Sequence, residues 1–494
     1  MNKMIPVLSA LLLAACASVP RDAGFAEVRN QVIERVDQPR GDQVMIDQVM
    51  IDQAVQWRRS TVEDAEADVR IGQLLAEPVS ADGAVQLALL NNRTLQAEYE
   101  ELGVAQADLV QAGLLKNPSF GWSRLEGGGL TKTTWGIELD FLGLLLRAPK
   151  QRIETLRFEH TKLRVAQAVL KHAMETRKAW VDAVAAEQSV QFLAQVAELT
   201  AAEAELGERQ RAAGNLGRRD ALRQQAFAAE TANALTYARF SALAASERLG
   251  RLMGIAPSQW KLVQHLPALP ASALAYDDLE SEGLRQRLDV RMAQKASEAM
   301  AAALHLTRDT RLINVLDLGV ETEKATGEKR ITGPTLRLEL PIFDQGQARV
   351  SKQEAQYRQS EARLYALAVD ARSEIREHYQ RAVAAYAMAK HQQDVLVPLR
   401  RQIVEQSTLQ YNGMLIGVYE LLADAREQVS AVQNHISATR EFWNALADLQ
   451  MAVGGKLPEQ VVAPPESGVP ETKAAPSADA AYQHDHHQHG GNPQ

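Results

Sequence analysis

Cysteine is almost missing from this chain: Cys16 is the one such residue among 494. An intramolecular disulfide is therefore excluded. Aromatic residues are scarce at 5%, although hydrophobic residues reach 46% and alanine is abundant. That mixture favours long, closely packed helices over a compact α/β core. Positive charge is not in excess, since the net charge is −8 and the pI about 5.9. A basic stripe of the kind that neutralises nucleic-acid phosphates is excluded, and no nucleic acid is expected as a partner. Beyond the N-terminus, no stretch reaches the ~18 consecutive apolar residues of a membrane-spanning helix. If the chain crosses a membrane, it must do so with strands.

The position of the cysteine is informative. The N-terminus reads MNKMIPVLSALLLAACAS, with Lys3, a short apolar run, then Leu13-Ala14-Ala15-Cys16. This is the layout of a secretory signal, too short for a transmembrane helix. It also resembles the bacterial lipoprotein signal, in which cleavage precedes the cysteine and lipid is attached to it. The resemblance implies a signal peptide over 1–15 and lipidation at Cys16; an ordinary signal with an accidental cysteine is the alternative. Ala17 rather than aspartate follows Cys16, which in that class favours the outer membrane. Residues 16–80 are expected to form an anchor and extended leader. They contain a five-residue tandem, DQVMIDQVMIDQAV, from Asp42 to Val55, to which no role is assigned.

From Ala81 the pattern turns helical, with Asp82 placed to cap the helix and Asn117-Pro118 to end it. A β-hairpin is expected over 118–142, because Trp135, Ile137, Leu139 and Phe141 alternate with Thr134, Gly136, Glu138 and Asp140. Proline is then absent from Lys150 to Ala256. Lys150–Ala213 reads as one helix of roughly 95 Å, half of a helical hairpin over 147–255. These elements make a first repeat, 81–260. A second, 261–455, reads as a helix over about 277–308, a β-hairpin at 311–343 and a helical hairpin at 345–454 with a kink at Pro398. GIELDF matches LRLELPIF, and Gly214 matches Gly413, at offsets near 200 residues, as a tandem duplication would produce. Val350, Tyr357 and Leu364 are seven apart, as are Tyr379 and Tyr386, the spacing of a left-handed helix seam. The tail, 456–494, is proline-rich, poor in bulky apolar residues and expected to be disordered.

Two hairpins supply four strands of roughly the 9–11 residues that a tilted membrane strand needs. Four cannot close a barrel, which takes about eight, and an open edge in lipid leaves backbone groups unpaired. Either the hairpins are soluble, or several chains pool their strands; three chains would contribute twelve. Helices of this length expose their seams unless they bundle into a tube. The polar strand residues Glu138, Asp140, Arg337 and Glu339 would then line a wet lumen.

This duplicated plan resembles the TolC-type outer-membrane efflux family. The resemblance covers roughly residues 80–455 and is carried by AVQLALLNNRTLQAEYEELGVAQADLVQAGLLKNPSF, LELPIFDQGQARVSKQEAQYRQSEARLYAL and LQYNGMLIGVYELL, in that order. It implies an α+β membrane protein: a trimeric, long antiparallel α-helical barrel continuous with a transmembrane β-barrel. Members of that family are passive exit ducts joined to an inner-membrane pump through a periplasmic adaptor, with no catalysis and no cofactor. The sequence is most similar to the heavy-metal branch; a multidrug or other small-molecule duct is the alternative cargo.

The glycine breaks, Gly214 and Gly217 followed by Asp220, and Gly413 and Gly417, read as hairpin turns at the far end of the tube. In the resembled family such tips meet the adaptor, and nearby acids narrow the entrance. Glu420 and Asp424 are i,i+4 on one helix face, and rings of such acids favour cations. Family members often place the second acid three residues on, where this chain has Ala423; the aim of Asp424 is left open. Asp220 reads as a cap or an intersubunit contact. In the tail, His484, His486, His487 and His489 form a candidate exchangeable metal site. No enzyme constellation is present: GGGLTKT lacks the spacing of a phosphate loop, and His160 and His172 form no HExxH. A periplasmic metal-binding scaffold lipoprotein and a coiled-coil spacer are the readings from other classes.

Overall fold

The computed structural model describes residues 19–36, 52–455 apart from 273 and 277, and 457. Cys16, the signal segment, most of the 42–55 tandem and the histidine-rich tail lie outside the described residues. Among the described residues no helix is long and apolar enough to cross a membrane.

The leader contributes α1 (Phe25–Val36) and α2 (Thr61–Leu75). Then follow α3 (Ala81–Asn91), α4 (Arg93–Gly113), β1 (Ser119–Gly127), β2 (Leu130–Asp140), α5 (Phe141–Ala212) and α6 (Arg218–Met253). The same order of elements returns as α7 (Leu279–Gln286), α8 (Leu288–Asp309), β3 (Leu316–Ala325), β4 (Ile331–Leu338), α9 (Gln347–His391) with α10 (Val397–Asn412), and α11 (Val418–Ala452).

Helix α5 has 72 residues, about 108 Å at 1.5 Å per residue. It starts nine residues before the expected Lys150 because the Asp140 carboxylate accepts from the Gly143 N–H at 2.6 Å, capping it directly off β2. Pro149 is carried inside the helix. Helix α4 packs along the near half of α5 and α6 along its far half; α8 and α11 do the same for α9 and α10. Each long helix is thus matched by two shorter ones laid end to end.

Both single helices expected ahead of the hairpins are broken in two. At the first break Asn92 leaves the helical region (ψ 115) and its side chain caps α4, accepting from Thr94 and Leu95. Its amide also donates to the Leu252 carbonyl at 2.9 Å, while Asn91 donates to Gly254 at 2.9 Å. The asparagines thereby satisfy carbonyls at the end of α6, which abuts this break. At the second break Arg287 (ψ 121) takes that place. Its buried guanidinium binds Asp289 at 2.6 Å, Glu374 of α9 at 2.7 Å and the Ala452 carbonyl at the end of α11 at 3.3 Å. Burial opposes the charge on Arg287, but Asp289 and Glu374 outweigh it and raise its pKa. The expected cap Asp82 pairs instead with Arg177 at 2.7 Å, and Ser80 caps α3.

Small residues let the helices approach closely: Ala166, Ala173, Ala179 and Ala183 are buried on α5. On α9, Ala371 and Ile375, then Ala382, then Ala385 and Ala389 are buried, continuing the seven-residue seam begun by Val350, Tyr357 and Leu364. The kink expected at Pro398 is present as a π-turn, Gln392–Leu396, immediately ahead of it. Proline has no N–H to give and crowds the carbonyl four residues back, so the helix widens there by one residue.

The strands form one antiparallel sheet in the order β1-β2-β3-β4. Pairing of β2 with β3, from Lys132↔Ala325 to Asp140↔Asp317, joins the two hairpins. Strand β4 begins at Ile331 and ends at Leu338, short of the expected Leu340 and Ile342; Pro341 lies between these two and has no N–H for a ladder.

Candidate functional site

Three places concentrate chemistry: the two faces of the sheet and the turns at the far end of the helices. On one face of the sheet, registered pairs bring together Phe120 with Ile137, Trp122 with Trp135, Ile137 with Val320, Leu139 with Leu318 and Leu318 with Leu336. All of these side chains are exposed. The outer edges of β1 and β4 are unpaired.

On the other face Glu138 and Arg337 meet at 3.1 Å, with Asp317 at 3.8 Å from the same guanidinium. Arg337 is on β4 and Glu138 on β2, so the contact spans β3. Gly319 of β3, paired with Glu138 on one side and Thr335 on the other, makes the crossing possible. A Cβ there would sit 2.6 Å from the Ile137 carbonyl and 2.7 Å from the Thr335 hydroxyl. The other two predicted lumen residues are placed differently. Asp140 is the cap of α5, and Glu339 lies past the end of β4, accepting from Asn314 at 3.2 Å.

At the far end, two reversals share one hydrogen-bond pattern. In the first, Gly214 N–H donates to Arg211 at 3.0 Å and Asn215 N–H to Gln210 at 2.9 Å. In the second, Met414 donates to Tyr411 and Leu415 to Gln410, both at 2.9 Å. These are the paired bonds of the Schellman motif, which places its left-handed residue just past the cap. That residue is Gly214 (φ 79) in the first turn and Met414 (φ 58) in the second. Gly413 has φ −79. The match of Gly214 with Gly413 is therefore off by one: structural equivalents lie 200 apart, Gly214 with Met414 and Gly217 with Gly417. The two latter glycines are the N-caps of α6 and α11, in extended conformations without side-chain cap bonds.

The turns pack side by side. Phe227, Val418 and Leu422 form a small buried cluster with Tyr411 against it. Arg223 lies 4.2 Å over the Tyr419 ring and Arg426 lies 4.7 Å over Phe227. Asp220, read as a cap or an intersubunit contact, pairs with Arg223 at 3.3 Å.

Glu420 and Asp424 separate in role although they share a helix face. Glu420 is exposed in the first turn of α11, and its carboxylate has no partner among the described residues. Asp424 is half-buried and accepts a hydrogen bond from the buried Ser407 hydroxyl of α10. Its carboxylate is held within its own helical hairpin.

Residue types alone did not single out Met414 and Leu415, 93% and 78% exposed, beside the exposed Tyr419. These form an apolar tip on the second turn, where the first turn carries Gly214 and Asn215. A strict 200-residue offset would have exposed the substitution. Among the described residues, no group of three or more His, Cys, Asp or Glu side chains could hold a metal ion.

No protein-family model matches the chain, and no curated protein matches its sequence. Solved structures do match its fold. The outer membrane protein VceC of Vibrio cholerae superposes with a TM-score of 0.64 at 16% identity, covering 76% of this chain and 96% of that one. The outer membrane channel CmeC of Campylobacter jejuni gives 0.65 at 16% identity, covering 76% and 85%. The outer membrane channel MtrE of Neisseria gonorrhoeae, solved in an open state, gives 0.61 at 16%, covering 76% and 89%. The helical shaft and four-stranded sheet of this chain have the fold of these outer-membrane channel proteins.

Proposed function

We propose that this chain is the outer-membrane duct of a tripartite export system, of the TolC type. Three copies pool twelve strands into a transmembrane β-barrel, and their long helices continue it as an α-barrel into the periplasm. The protein performs no catalysis and takes no cofactor; an inner-membrane pump supplies the energy, and a periplasmic adaptor docks at the helical tips. Cys16, lipidated, anchors each copy to the outer membrane. The returning order of elements reflects an internal duplication.

The carrying observation is the sheet, with an exposed apolar face and two unpaired edges on one chain. In water such a face favours aggregation and such edges invite further strands. Lipid against the face and neighbouring strands at the edges satisfy both. The Glu138–Arg337–Asp317 cluster then faces a wet lumen. The apolar tip at Met414 and Leu415 suits a docking surface for the adaptor, and Glu420, free in the first turn of α11, is the better placed of the two acids to face the pore.

We favour heavy-metal cations as cargo. The support is the resemblance to the heavy-metal branch, together with His484, His486, His487 and His489, whose imidazoles suit such ions. The experiment is single-channel recording from the purified, full-length protein in planar bilayers: stable conductance is expected, and its absence from a lipid-inserted trimer overturns the duct. Deletion of 480–494 tests the tail separately, with lowered metal tolerance expected and unchanged tolerance removing the tail from the cargo argument.

A further inference from the structure

The junction between sheet and shaft has a charge unlike the rest of the chain. Its four connecting segments, residues 114–118, 141–152, 309–315 and 339–352, hold seven Lys and Arg against three Asp and Glu, whereas the chain as a whole is at −8. All seven are exposed; Arg349 donates to Asn314 at 2.7 Å, and the other six are Lys116, Arg147, Lys150, Arg152, Arg311 and Lys352. None of these six has an ion-pair or side-chain hydrogen-bond partner among the described residues. By contrast, most Lys and Arg farther along the shaft are paired, as in Arg381–Glu441, Arg400–Glu427 and Arg426–Glu230.

Immediately on the sheet side of these cations lies a second group of exposed side chains. Leu145, Leu312 and Ile342 are exposed, and Phe343 is 94% exposed; the α4–β1 connection runs the other way, with exposed Leu115 on the shaft side of Lys116. The change from apolar to basic is abrupt. On α5 the cations Arg147, Lys150 and Arg152 follow Leu145 at rises of about 3, 8 and 10 Å. The polar headgroup layer on one side of a bilayer is about 5–8 Å thick, the difference between its hydrocarbon and full thickness shared over two faces. Leucines and a phenylalanine at the hydrocarbon edge, followed by unpaired cations spread across about one headgroup thickness, match that profile.

We propose that these residues form a collar that seats on the anionic phospholipid head groups of the membrane surface, each cation taking a lipid phosphate. The inference rests on the membrane-duct reading and adds to it a lipid class and a set of contacts. Lys and Arg here act as snorkelling side chains, stems against the apolar rim and heads at the phosphates. The collar sets the depth of insertion: the shaft cannot sink further without burying Lys150 and Arg152 in hydrocarbon, nor rise without exposing Phe343 to water.

The test uses the full-length protein and vesicle flotation, comparing phosphatidylcholine alone with phosphatidylcholine containing one-third phosphatidylglycerol. Stronger binding to the anionic vesicles is expected, weakening as salt is raised. The triple variant R147Q/K150Q/R152Q should lose about 100-fold of that preference, on the usual contribution of each basic residue near an anionic surface, while R147K/R152K retains it. All three positions are exposed, so the fold is not at stake. Equal binding to both vesicles, with conductance retained in neutral bilayers, overturns the collar and leaves the duct standing. Absence of conductance in either lipid overturns the duct itself. Displacement of anionic vesicles by millimolar inorganic phosphate would reassign the cations to a free-anion site and overturn the lipid proposal.

Discussion

Met414 keeps a Cβ in the left-handed region (φ 58) while almost wholly exposed. That conformation costs a residue other than glycine about 1–2 kcal/mol. Met414→Gly should therefore raise the melting temperature of the purified protein, and if the side chain serves docking, should weaken adaptor binding at the same time; a fall in stability would show that the strain is not there. The reverse exchange, Gly214→Met, installs the same cost in the first turn and should lower stability. Histidines give a second residue-scale prediction. Burial disfavours the charged form of His172, a penalty that its bond to the Leu252 carbonyl at 3.1 Å offsets only in part, and its pKa is lowered. Burial lowers His160 and His435 in the same way. The unfolded chain then takes up these protons first, near pH 6.5. Stability they contribute is present above that pH and is lost as pH falls toward the folded values. Thermal unfolding between pH 7 and 5 should show this slope, and His172→Gln, which can still donate to Leu252, should flatten it. At this scale the sequence showed where the chain turns, because glycine pairs punctuate an otherwise unbroken helix. The left-handed residue of the second turn escaped because it is a methionine, and the bond from Ser407 to Asp424 because it depends on how two helices face one another.

Among the elements, the strand and helix types were legible from period and punctuation, but the joints were not. Nothing local in Gln286-Arg287 stops a helix, and at Asn91-Asn92 the one local device is the Asn92 cap on Thr94 and Leu95; both breaks also face the ends of α6 and α11, whose carbonyls those side chains satisfy. The start expected at Lys150 was too late, because a cap at Asp140 starts α5 early enough to carry Pro149 inside it. The seam on α9 was visible as a seven-residue spacing and is the packed face of that helix. Gly319 supplies the element-scale prediction. Any side chain there strikes the Ile137 carbonyl and the Thr335 hydroxyl, so Gly319→Val should disrupt β2–β3–β4 pairing and remove the Glu138–Arg337 contact. The expected readout is loss of the heat-stable assembled species on electrophoresis with helical circular dichroism preserved. Intact assembly would show that the sheet can yield at this point.

For the molecule as a whole, the proposed duct makes the unpartnered carboxylate of Glu420 a test of ion selectivity. On that proposal, with three copies in a ring, Glu420→Gln would remove three negative charges from the mouth, so the reversal potential in a salt gradient should shift toward anions, while Asp424→Asn, at a carboxylate tied to Ser407, should shift it less. Equal shifts would place both acids in the pore.

The pairing of β2 with β3 also governs the order of events as the protein forms. Gly136 lies opposite Glu321 across that ladder, so the two hairpins meet only after most of the chain exists. Contacts of such long sequence separation form late, whereas the helical hairpins close on neighbours along the chain. Each helical hairpin and each strand hairpin can therefore form by itself, whereas the two halves of the shaft, joined by contacts such as Lys178–Asp448, wait for the end of the chain as the sheet waits for β3. On the proposed duct, completion of the sheet is deferred until the second half of the chain has been made, and a truncated chain ending before β3 carries one strand hairpin whose β2 edge has no partner.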